Sequence, residues 1–367
     1  MVKFFQLAIV LILVAACGDR TLVRMVPEAA GIGTPHKTFV ATLRARTEDG
    51  WFSGDRAEKL SFVDVDVSVP PIHQSGKIKY RAAVVDPERQ FTITGRKDYN
   101  SASAFSAELR RALMQQKPGE RDVMLYVHGY NNSFADGVLR STQLMHDFKL
   151  PGVGVHFSWP SAAHPLAYTY DRDSVMFARD ALEQFLRQVS DAGPDRIVLV
   201  GHSLGSMLVM ETLRQIELTS PHWTHRNLGG VILVAPDLDV EVFKQQAKRF
   251  DRLPEPFIIF VSERDRALQL SKRVNGDKKR LGLLSNAQEV SELPVTIVDV
   301  SGFANGAGIG HFTLFTSPLL IELMRNSQRL GNTFSRDAGG RTGLLPGTAL
   351  TVQNATTLIL TPLMLSN

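Results

Sequence analysis

The sequence predicts an α/β fold in which helices cover both faces of a mostly parallel β-sheet. The first observation behind this prediction is a series of short, continuous apolar runs that have the length of buried strands. These runs occupy residues 123–127, 153–157, 197–200, 231–235, 257–261 and 295–300. The second observation is that amphipathic stretches with helical spacing alternate with them, at residues 133–148, 172–189, 205–218 and 240–249. Strands that are apolar throughout are buried on both faces, and helices between them connect parallel neighbours.

The composition is that of a globular protein. The chain has 367 residues, of which 44% are hydrophobic and 21% are charged, and this is too apolar for a disordered protein. The length accommodates one large domain with extensions, or at most two domains. Such a chain buries a sizeable core without disulfides or metals. The net charge is only +4, and the cationic run at residues 278–280 is too short for a binding stripe. We therefore expect no nucleic-acid partner.

The N-terminus has the pattern of an export signal. Lys3 precedes an apolar stretch over residues 4–16 that is broken only by Gln6 and is shorter than the ~20 residues that span a bilayer. The ending LVAAC at residues 13–17 resembles a bacterial lipobox. This resemblance implies that residues 1–16 are a lipoprotein signal peptide and that Cys17, the only cysteine, becomes an acylated N-terminus. We expect an exported protein of the bacterial cell envelope, anchored to a membrane by lipid on Cys17. The alternatives are a plain secretory signal or an uncleaved anchor helix.

The segments on either side of the alternating pattern differ from it. Residues 17–37 are punctuated by glycine and proline, as expected of a tether. Two strand-like runs follow at residues 39–43 and 62–69, and in the second the valines alternate with polar residues. That alternation predicts an antiparallel strand near a sheet edge, with one buried face and one wet face. The main domain is expected over residues 38–330. The tail at 331–367 is either disordered, or its run at 356–365 packs as a strand or against a partner.

The candidate nucleophile is Ser203, in the pentapeptide GHSLG at residues 201–205. The pentapeptide lies between an apolar strand and an amphipathic helix, which is the context that the G-x-S-x-G motif requires. A serine in such a tight turn crowds the residues two before and two after it, and glycine fits there. The turn also places the serine at a helix N-terminus, whose dipole favours a developing anion. The alternative is a glycine-flanked turn of an unrelated α/β fold.

The candidate acid and base follow the serine in the chain order that this motif is known for, with the carboxylate before the histidine. Asp265 lies in a turn directly after the run at 257–261, at the strand end where parallel sheets carry their functional loops. Glu263, Asp237 and Asp239 are its rivals, and Asp237 is the main one. His311 is the only histidine after Asp265, and it follows a glycine-rich loop that could bend back towards the nucleophile. His311 is therefore the expected general base.

Two further sets of residues complete the predicted site. Backbone N–H groups of Leu204, directly after the nucleophile, and of Tyr130, in the loop after the run at 123–127, are the expected oxyanion donors. Trp159, Tyr168 and Tyr170 belong to a segment that follows another strand. They could line an acyl or aromatic pocket, or the segment could be a packed connector.

Taken together, these motifs resemble one branch of the α/β-hydrolases. The motifs are HGYNNSF at 128–134, FSWPS at 157–161, GHSLG at 201–205, APDLD at 235–239 and SERDRAL at 262–268. The branch is a bacterial family of unknown function within the esterase/lipase superfamily, and the resemblance covers about residues 38–325. It implies the α/β-hydrolase fold and the catalytic roles of Ser203, Asp265 and His311, but no particular substrate. The lipobox-like start and the tail depart from the family pattern.

The function expected from these residues is hydrolysis of a small-molecule or lipid substrate. A carboxylic ester or thioester would be cleaved through an acyl-enzyme, without metal or other cofactor, since no His-Glu-x-x-His or phosphate-loop pattern is present. Acyl transfer is the first alternative, because it uses the same residues and differs only in excluding water. The second alternative is a lipid-anchored interaction module with an inactive hydrolase fold.

Overall fold

The computed structural model describes residues 24–80, 84–285, 287–304, 310–329 and 347–360. The predicted signal peptide and Cys17 lie outside the described residues. Within them, no helix combines the length and the apolar character that crossing a bilayer would need.

The described residues form one sheet of eleven strands in the order β10-β11-β9-β8-β7-β6-β4-β5-β1-β2-β3. The strands are β1 (Thr34–Arg46), β2 (Phe52–Val69), β3 (Thr92–Tyr99), β4 (Val123–Val127), β5 (Val153–Ser158), β6 (Ile197–His202), β7 (Leu228–Val234), β8 (Phe257–Val261), β9 (Thr296–Asp299), β10 (Gly347–Val352) and β11 (Ala355–Leu360). Eight strands lie side by side in the order β1, β5, β4, β6, β7, β8, β9 and β11. Each of them is parallel to its neighbours in this set. The six predicted apolar runs are β4 to β9, and the mostly parallel sheet is confirmed.

Helices pack on both faces of the sheet, as predicted. They are α1 (Ala102–Met114), α2 (Phe134–Asp147), α3 (Tyr168–Asp191), α4 (Leu204–Thr219), α5 (Trp223–Asn227), α6 (Val240–Ala247), α7 (Arg266–Val274), α8 (Thr313–Thr316) and α9 (Pro318–Arg329). One apolar core joins the sheet to α1, α3, α4 and α6, through side chains such as Leu109 and Leu182. A second core lies on the opposite face and includes Leu144 of α2 and Leu320 of α9. The parallel strands are therefore buried on both faces.

The N-terminal strands β1, β2 and β3 form an antiparallel extension of the sheet. β2 is second from the edge, as its alternation predicted. Its polar face is not wet throughout, however, because Asp64 is 1% exposed. The Asp64 carboxylate accepts a hydrogen bond from Lys37 Nζ at 2.9 Å and another from the Tyr99 hydroxyl. Buried carboxylates are stable when they are paired in this way, so the polar positions of β2 join neighbouring strands.

The opposite edge of the sheet is formed by the tail. β10 and β11 are an antiparallel hairpin, and β11 pairs in parallel with β9, so that Leu358 lies opposite Val298. Ala355 and Leu360 are buried by this pairing. Of the alternatives for the tail, packing as a strand is therefore the one found for Ala355–Leu360.

Candidate active site

Ser203 lies in the turn between β6 and α4, as the strand–turn–helix pattern predicts. Its backbone has φ 53° and ψ −123°, a conformation that costs a residue other than glycine about 1–3 kcal/mol. The Ser203 N–H donates to the Val234 carbonyl of β7 at 3.0 Å, and the Ser206 N–H donates to the Ser203 carbonyl at 3.0 Å. The neighbouring strand and the first turn of the helix thus hold the strained serine in place.

Both glycines of the pentapeptide lie where a side chain would collide with backbone. A Cβ atom on Gly201 would be 2.9 Å from the Cα atom of Ser206, and one on Gly205 would be 2.3 Å from the His128 carbonyl oxygen. Real Cβ contacts are longer than this, because atoms at such distances overlap. The glycines therefore allow α4 to begin close against the end of β4.

The predicted base and acid form a hydrogen-bonded pair beside Ser203. His311 Nδ1 lies 2.7 Å from Asp265 Oδ2, and Asp265 is fully buried. The other carboxylate oxygen, Oδ1, accepts from the Leu268 N–H at 3.0 Å and caps α7. Ser203 and His311 line the same cavity. With the proton on Nδ1, the Nε2 atom of His311 can accept a proton from a hydroxyl group.

None of the three rival carboxylates contacts His311, and Asp239 instead caps α6 by accepting from the Glu241 N–H at 2.9 Å. Asp237 accepts hydrogen bonds from the Tyr168 hydroxyl at 2.8 Å and from Ser271 Oγ at 2.7 Å, and it lies 3.3 Å from Arg280 Nε. Glu263 is exposed to solvent. The geometry therefore pairs His311 with Asp265 and places Asp237 in a separate polar cluster of the cavity wall.

Both predicted oxyanion donors belong to segments that adjoin Ser203. Leu204 is the first residue of α4. A Cβ atom on Gly129 would be 2.8 Å from Ser203 Cβ, so the loop after β4 lies directly against the nucleophile. Tyr130 follows Gly129 in this loop and lines the cavity, and Asn131 has φ 57°. The glycine in this loop thus permits the close approach that an oxyanion hole requires.

A buried arginine that sequence reasoning did not single out for this role fixes the loop after β4. Arg44 of β1 is 1% exposed, and its guanidinium donates to the carbonyls of Asn132 at 2.7 Å and Ser161 at 2.8 Å, and to Ser158 Oγ at 2.9 Å. Burial lowers the pKa of Arg44 to about 10, and the nearby Asp171 carboxylate opposes this shift. One side chain therefore ties the loops that follow β4 and β5 to β1.

The cavity at the site has a volume of about 550 Å³. Tyr168 lines it, from the first turn of α3 rather than from a loop. Trp159 and Tyr170 are not among the lining residues. Trp159 is buried with its ring stacked 4.7 Å from that of His128, and the Tyr170 hydroxyl donates to the Gly54 carbonyl at 3.0 Å. For these two residues the packed-connector alternative describes what the structure shows.

Histidines beside the site are held in the neutral form. The His202 ring lies 4.8 Å from the His311 ring, and burial, together with the nearby His311, lowers the pKa of His202 well below its ordinary value. Burial also lowers the pKa of His128 well below its ordinary value. The His202 ring therefore adds no positive charge next to His311 at neutral pH, and the buried His128 ring adds none to the loop after β4. Across the part of the chain that the structure describes, no group of three or more His, Cys, Asp or Glu side chains is arranged to hold a metal ion.

Comparison with known proteins identifies one family and several distant structures. Residues 101–328 match the family described as alpha/beta hydrolase of unknown function (DUF900). Similar solved structures include a protein described as a hydrolase from Agrobacterium vitis S4, at 14% identity over 75% of this chain and 95% of that one, with a TM-score of 0.35.

Two archaeal structures are also similar. The Pyrococcus furiosus esterase PF2001 has 9% identity over 85% of this chain and 96% of that one, with a TM-score of 0.32. The Paleococcus ferrophilus monoacylglycerol lipase has 15% identity over 66% of this chain and 85% of that one, with a TM-score of 0.26. No curated protein matches the chain.

Proposed function

The chain belongs to the alpha/beta hydrolases of unknown function matched above, and from this premise we propose that it is a serine hydrolase. The proposed reaction is cleavage of a carboxylic ester or thioester through an acyl-enzyme. The observation that carries the proposal is the contact of 2.7 Å between His311 and the buried Asp265, together with the cavity that Ser203 and His311 both line. A nucleophile, a base and an oriented carboxylate are the three groups that acyl transfer to serine requires.

In the proposed mechanism, Ser203 Oγ attacks the carbonyl carbon of the substrate while His311 Nε2 takes the hydroxyl proton. The N–H groups of Leu204 and Tyr130 stabilise the negative oxygen of the tetrahedral intermediate. The intermediate collapses when the His311 imidazolium donates its proton to the departing alcohol or thiol, which leaves an acyl-serine. Water then attacks the acyl-serine by the same steps, and the acid product and free Ser203 are released. Asp265 orients the imidazole and stabilises its cation throughout.

The strained turn supports a working nucleophile over an inactive module. A binding protein gains nothing from holding Ser203 at φ 53°, where glycine would cost less. Strain at one residue, next to a buried acid–base pair, is typical of catalytic sites.

The proposed substrate has an apolar acyl chain of moderate length. One side of the cavity is lined by Leu268, Leu270 and Val274 of α7, and Phe312 lies beside His311. A cavity of about 550 Å³ is within the ordinary range for small-molecule sites. Esters with acyl chains that fill this space should be better substrates than acetyl esters, because burying each CH₂ group contributes about 0.8 kcal/mol.

A fluorophosphonate probe tests the proposed function, because it reacts covalently with activated serines. We expect the purified protein to be labelled and Ser203→Ala to abolish labelling. Ser206→Ala is the matched control, because Ser206 lies three residues after Ser203. The Ser206 Oγ donates a hydrogen bond to the Gly201 carbonyl at 2.9 Å and has no part in the proposed mechanism. Absence of labelling of a protein that is folded by circular dichroism would overturn the proposal. So would labelling that survives in Ser203→Ala. A series of p-nitrophenyl esters would then give the chain-length preference.

We also propose that the protein works at a membrane surface of the bacterial cell envelope, held there by lipid on Cys17. The support is the lipobox-like sequence alone. In a bacterial host, the parent should incorporate labelled fatty acid and fractionate with membranes, and Cys17→Ala should do neither. Because Cys17 is the only cysteine, the label has one candidate thiol. If Cys17→Ala incorporates label and fractionates as the parent does, this proposal is wrong.

A further inference from the structure

The cavity contains charged side chains that the proposed mechanism does not use. Besides His311, its charged or titratable lining includes Asp136, Asp237 and Arg140. The partners of these three side chains differ, and the difference bears on which substrates the cavity accepts.

Each of the two carboxylates is satisfied by groups of the protein. Asp237 has two hydroxyl donors and the Arg280 guanidinium, as described above. Asp136 is the third residue of α2 and closes a capping box, in which Oδ2 accepts from Ser133 N–H at 2.9 Å and from Ser133 Oγ at 2.8 Å. The Tyr80 hydroxyl donates to its other oxygen. A carboxylate in the first turn of a helix is further stabilised by the helix dipole.

Arg140 has no hydrogen-bonded counter-ion of this kind among the described residues, although the nearby carboxylates of Asp136 and Asp147 favour its charged form. Although it lies four residues after Asp136 on α2, the spacing of a helical ion pair, it forms no ion pair within the described part of the chain. The one hydrogen bond it donates to a described residue goes to Gln143 Oε1 at 2.8 Å. Its guanidinium carbon lies 5.3 Å from the ring centroid of Phe312 and 5.8 Å from that of Phe315. These aromatic faces and Gln143 hold the fork of Arg140 at the cavity wall.

A guanidinium that is held in place at a cavity wall, with no carboxylate in ion-pair contact in the described chain, is suited to binding an anion. Its N–H groups form a rigid fork that matches the paired oxygens of a carboxylate or a phosphate. Burial lowers the pKa of Arg140, but a guanidinium keeps its charge at neutral pH. Phe312 is adjacent in sequence to His311, so an anion on Arg140 would be bound beside the reacting ester.

We infer that Arg140 binds an anionic group, a carboxylate or a phosphate, that the substrate carries in addition to its scissile ester. This inference rests on the proposed hydrolase function and narrows its substrate class to anionic esters. Neutral esters of the same length fill the apolar part of the cavity but leave the Arg140 fork without an anionic partner. Arg140 is thus a specificity-determining residue, while bond cleavage belongs to Ser203 and His311.

The test compares matched neutral and anionic esters. For a carboxylate on the acyl side, the pair is p-nitrophenyl hexanoate and mono-p-nitrophenyl adipate. For a phosphate on the alcohol side, the pair is monohexanoylglycerol and its glycerol 3-phosphate counterpart. We expect the parent to have a higher kcat/KM for the anionic member of at least one pair, and the pair that responds identifies the anion. Arg140→Gln should lower that anionic-to-neutral ratio by about 10- to 100-fold, the value of a charge-assisted hydrogen bond.

Two control variants separate recognition from structure. Arg140→Lys keeps the charge but loses the fork, so its ratio should lie between those of the parent and Arg140→Gln. Arg111→Gln removes an arginine that is 62% exposed on α1, away from the cavity, and should keep the parent ratio. A parent without preference for either anionic ester would overturn the inference, as would an unchanged ratio in a folded Arg140→Gln. In both cases fluorophosphonate labelling of Ser203 shows whether the hydrolase function itself still stands.

Discussion

Replacing Asp265 with asparagine separates the role of its charge from its role in the fold. The asparagine side chain would keep an acceptor for the Leu268 N–H, which lies 3.0 Å from Asp265 Oδ1 in the first turn of α7. Aspartate and asparagine are about equally good at the N-cap of a helix. We therefore expect Asp265→Asn to melt within a few degrees of the parent, so that any loss of activity reports on chemistry rather than on unfolding.

The expected loss of activity is large, because the substitution affects both the position and the charge of the base. In the proposed mechanism, the carboxylate oxygen 2.7 Å from His311 Nδ1 keeps the proton on Nδ1 and stabilises the imidazolium. An amide NH₂ group at this place would instead donate to Nδ1. The ring proton would then be on Nε2, and a protonated Nε2 cannot accept the hydroxyl proton of Ser203. We expect kcat to fall by about 1,000- to 10,000-fold, which corresponds to roughly 4–5.5 kcal/mol of transition-state stabilisation.

The assay is hydrolysis of a p-nitrophenyl ester at saturating concentration, measured by the absorbance of the released p-nitrophenol. Asp237→Asn is the matched variant. Asp237 is the rival acid, and its contacts are to Ser271, Tyr168 and Arg280 rather than to His311. Its substitution should lower stability by about 1–3 kcal/mol, because buried Arg280 loses its counter-ion, and lower kcat by less than about tenfold. A thousandfold loss in Asp237→Asn, with near-parental activity in Asp265→Asn, would refute this assignment.

Three further outcomes follow from buried contacts. Gly205→Ala should lower the free energy of unfolding, measured by urea titration, by about 1–3 kcal/mol, because its Cβ would meet backbone at 2.3 Å. Gly31→Ala, which has open space around it, should keep a free energy of unfolding near that of the parent. Arg44→Lys should lower both stability and kcat, measured by melting and ester hydrolysis, because one ammonium cannot replace the fork that reaches Asn132. Burial lowers the pKa of His156 from 6.5 to about 3. The free energy of unfolding therefore keeps the full contribution of neutral His156 above pH 6.5. As the pH falls below 6.5 this contribution is lost, because the unfolded chain takes up a proton that the folded chain does not. His156→Gln should therefore reduce the slope of unfolding free energy against pH between 6.5 and 4 by about 1.4 kcal/mol per unit.

The parts of the fold that sequence predicted well are those in which burial dominates. The runs at β4 and β8 are apolar at every position, and their observed bounds agree with the predicted ones. β3 was not predicted, because Gly95 and the charged residues at 96–98 obscure its alternation, and a register irregularity interrupts its pairing with β2. The pairing of β11 with β9 joins residues about sixty positions apart, and no local pattern specifies such a contact.

The candidate site likewise contains residues that the sequence predicts and residues that it does not. Ser203, Asp265 and His311 were predicted because a local motif and chain order point to them, and in the structure they lie at one end of the sheet. Arg44 was given no role of its own, since a charge after an apolar run usually indicates solvent. The signal that it is buried is the set of carbonyl and hydroxyl acceptors around it, and these come from loops distant in sequence. Arg140 likewise gave no signal, because an arginine on an amphipathic helix is normally solvated.

The position of the hairpin β10–β11 has a consequence for anyone who shortens this chain. The segment 101–328 that matches the family supplies β4 to β9, yet its outer strands β5 and β9 each pair with a strand from outside that segment. Trimming the protein to the matched segment would expose two rows of unpaired backbone groups, and open edges of this kind recruit other chains into aggregates. The smallest piece worth producing for biochemistry therefore extends from β1 to β11.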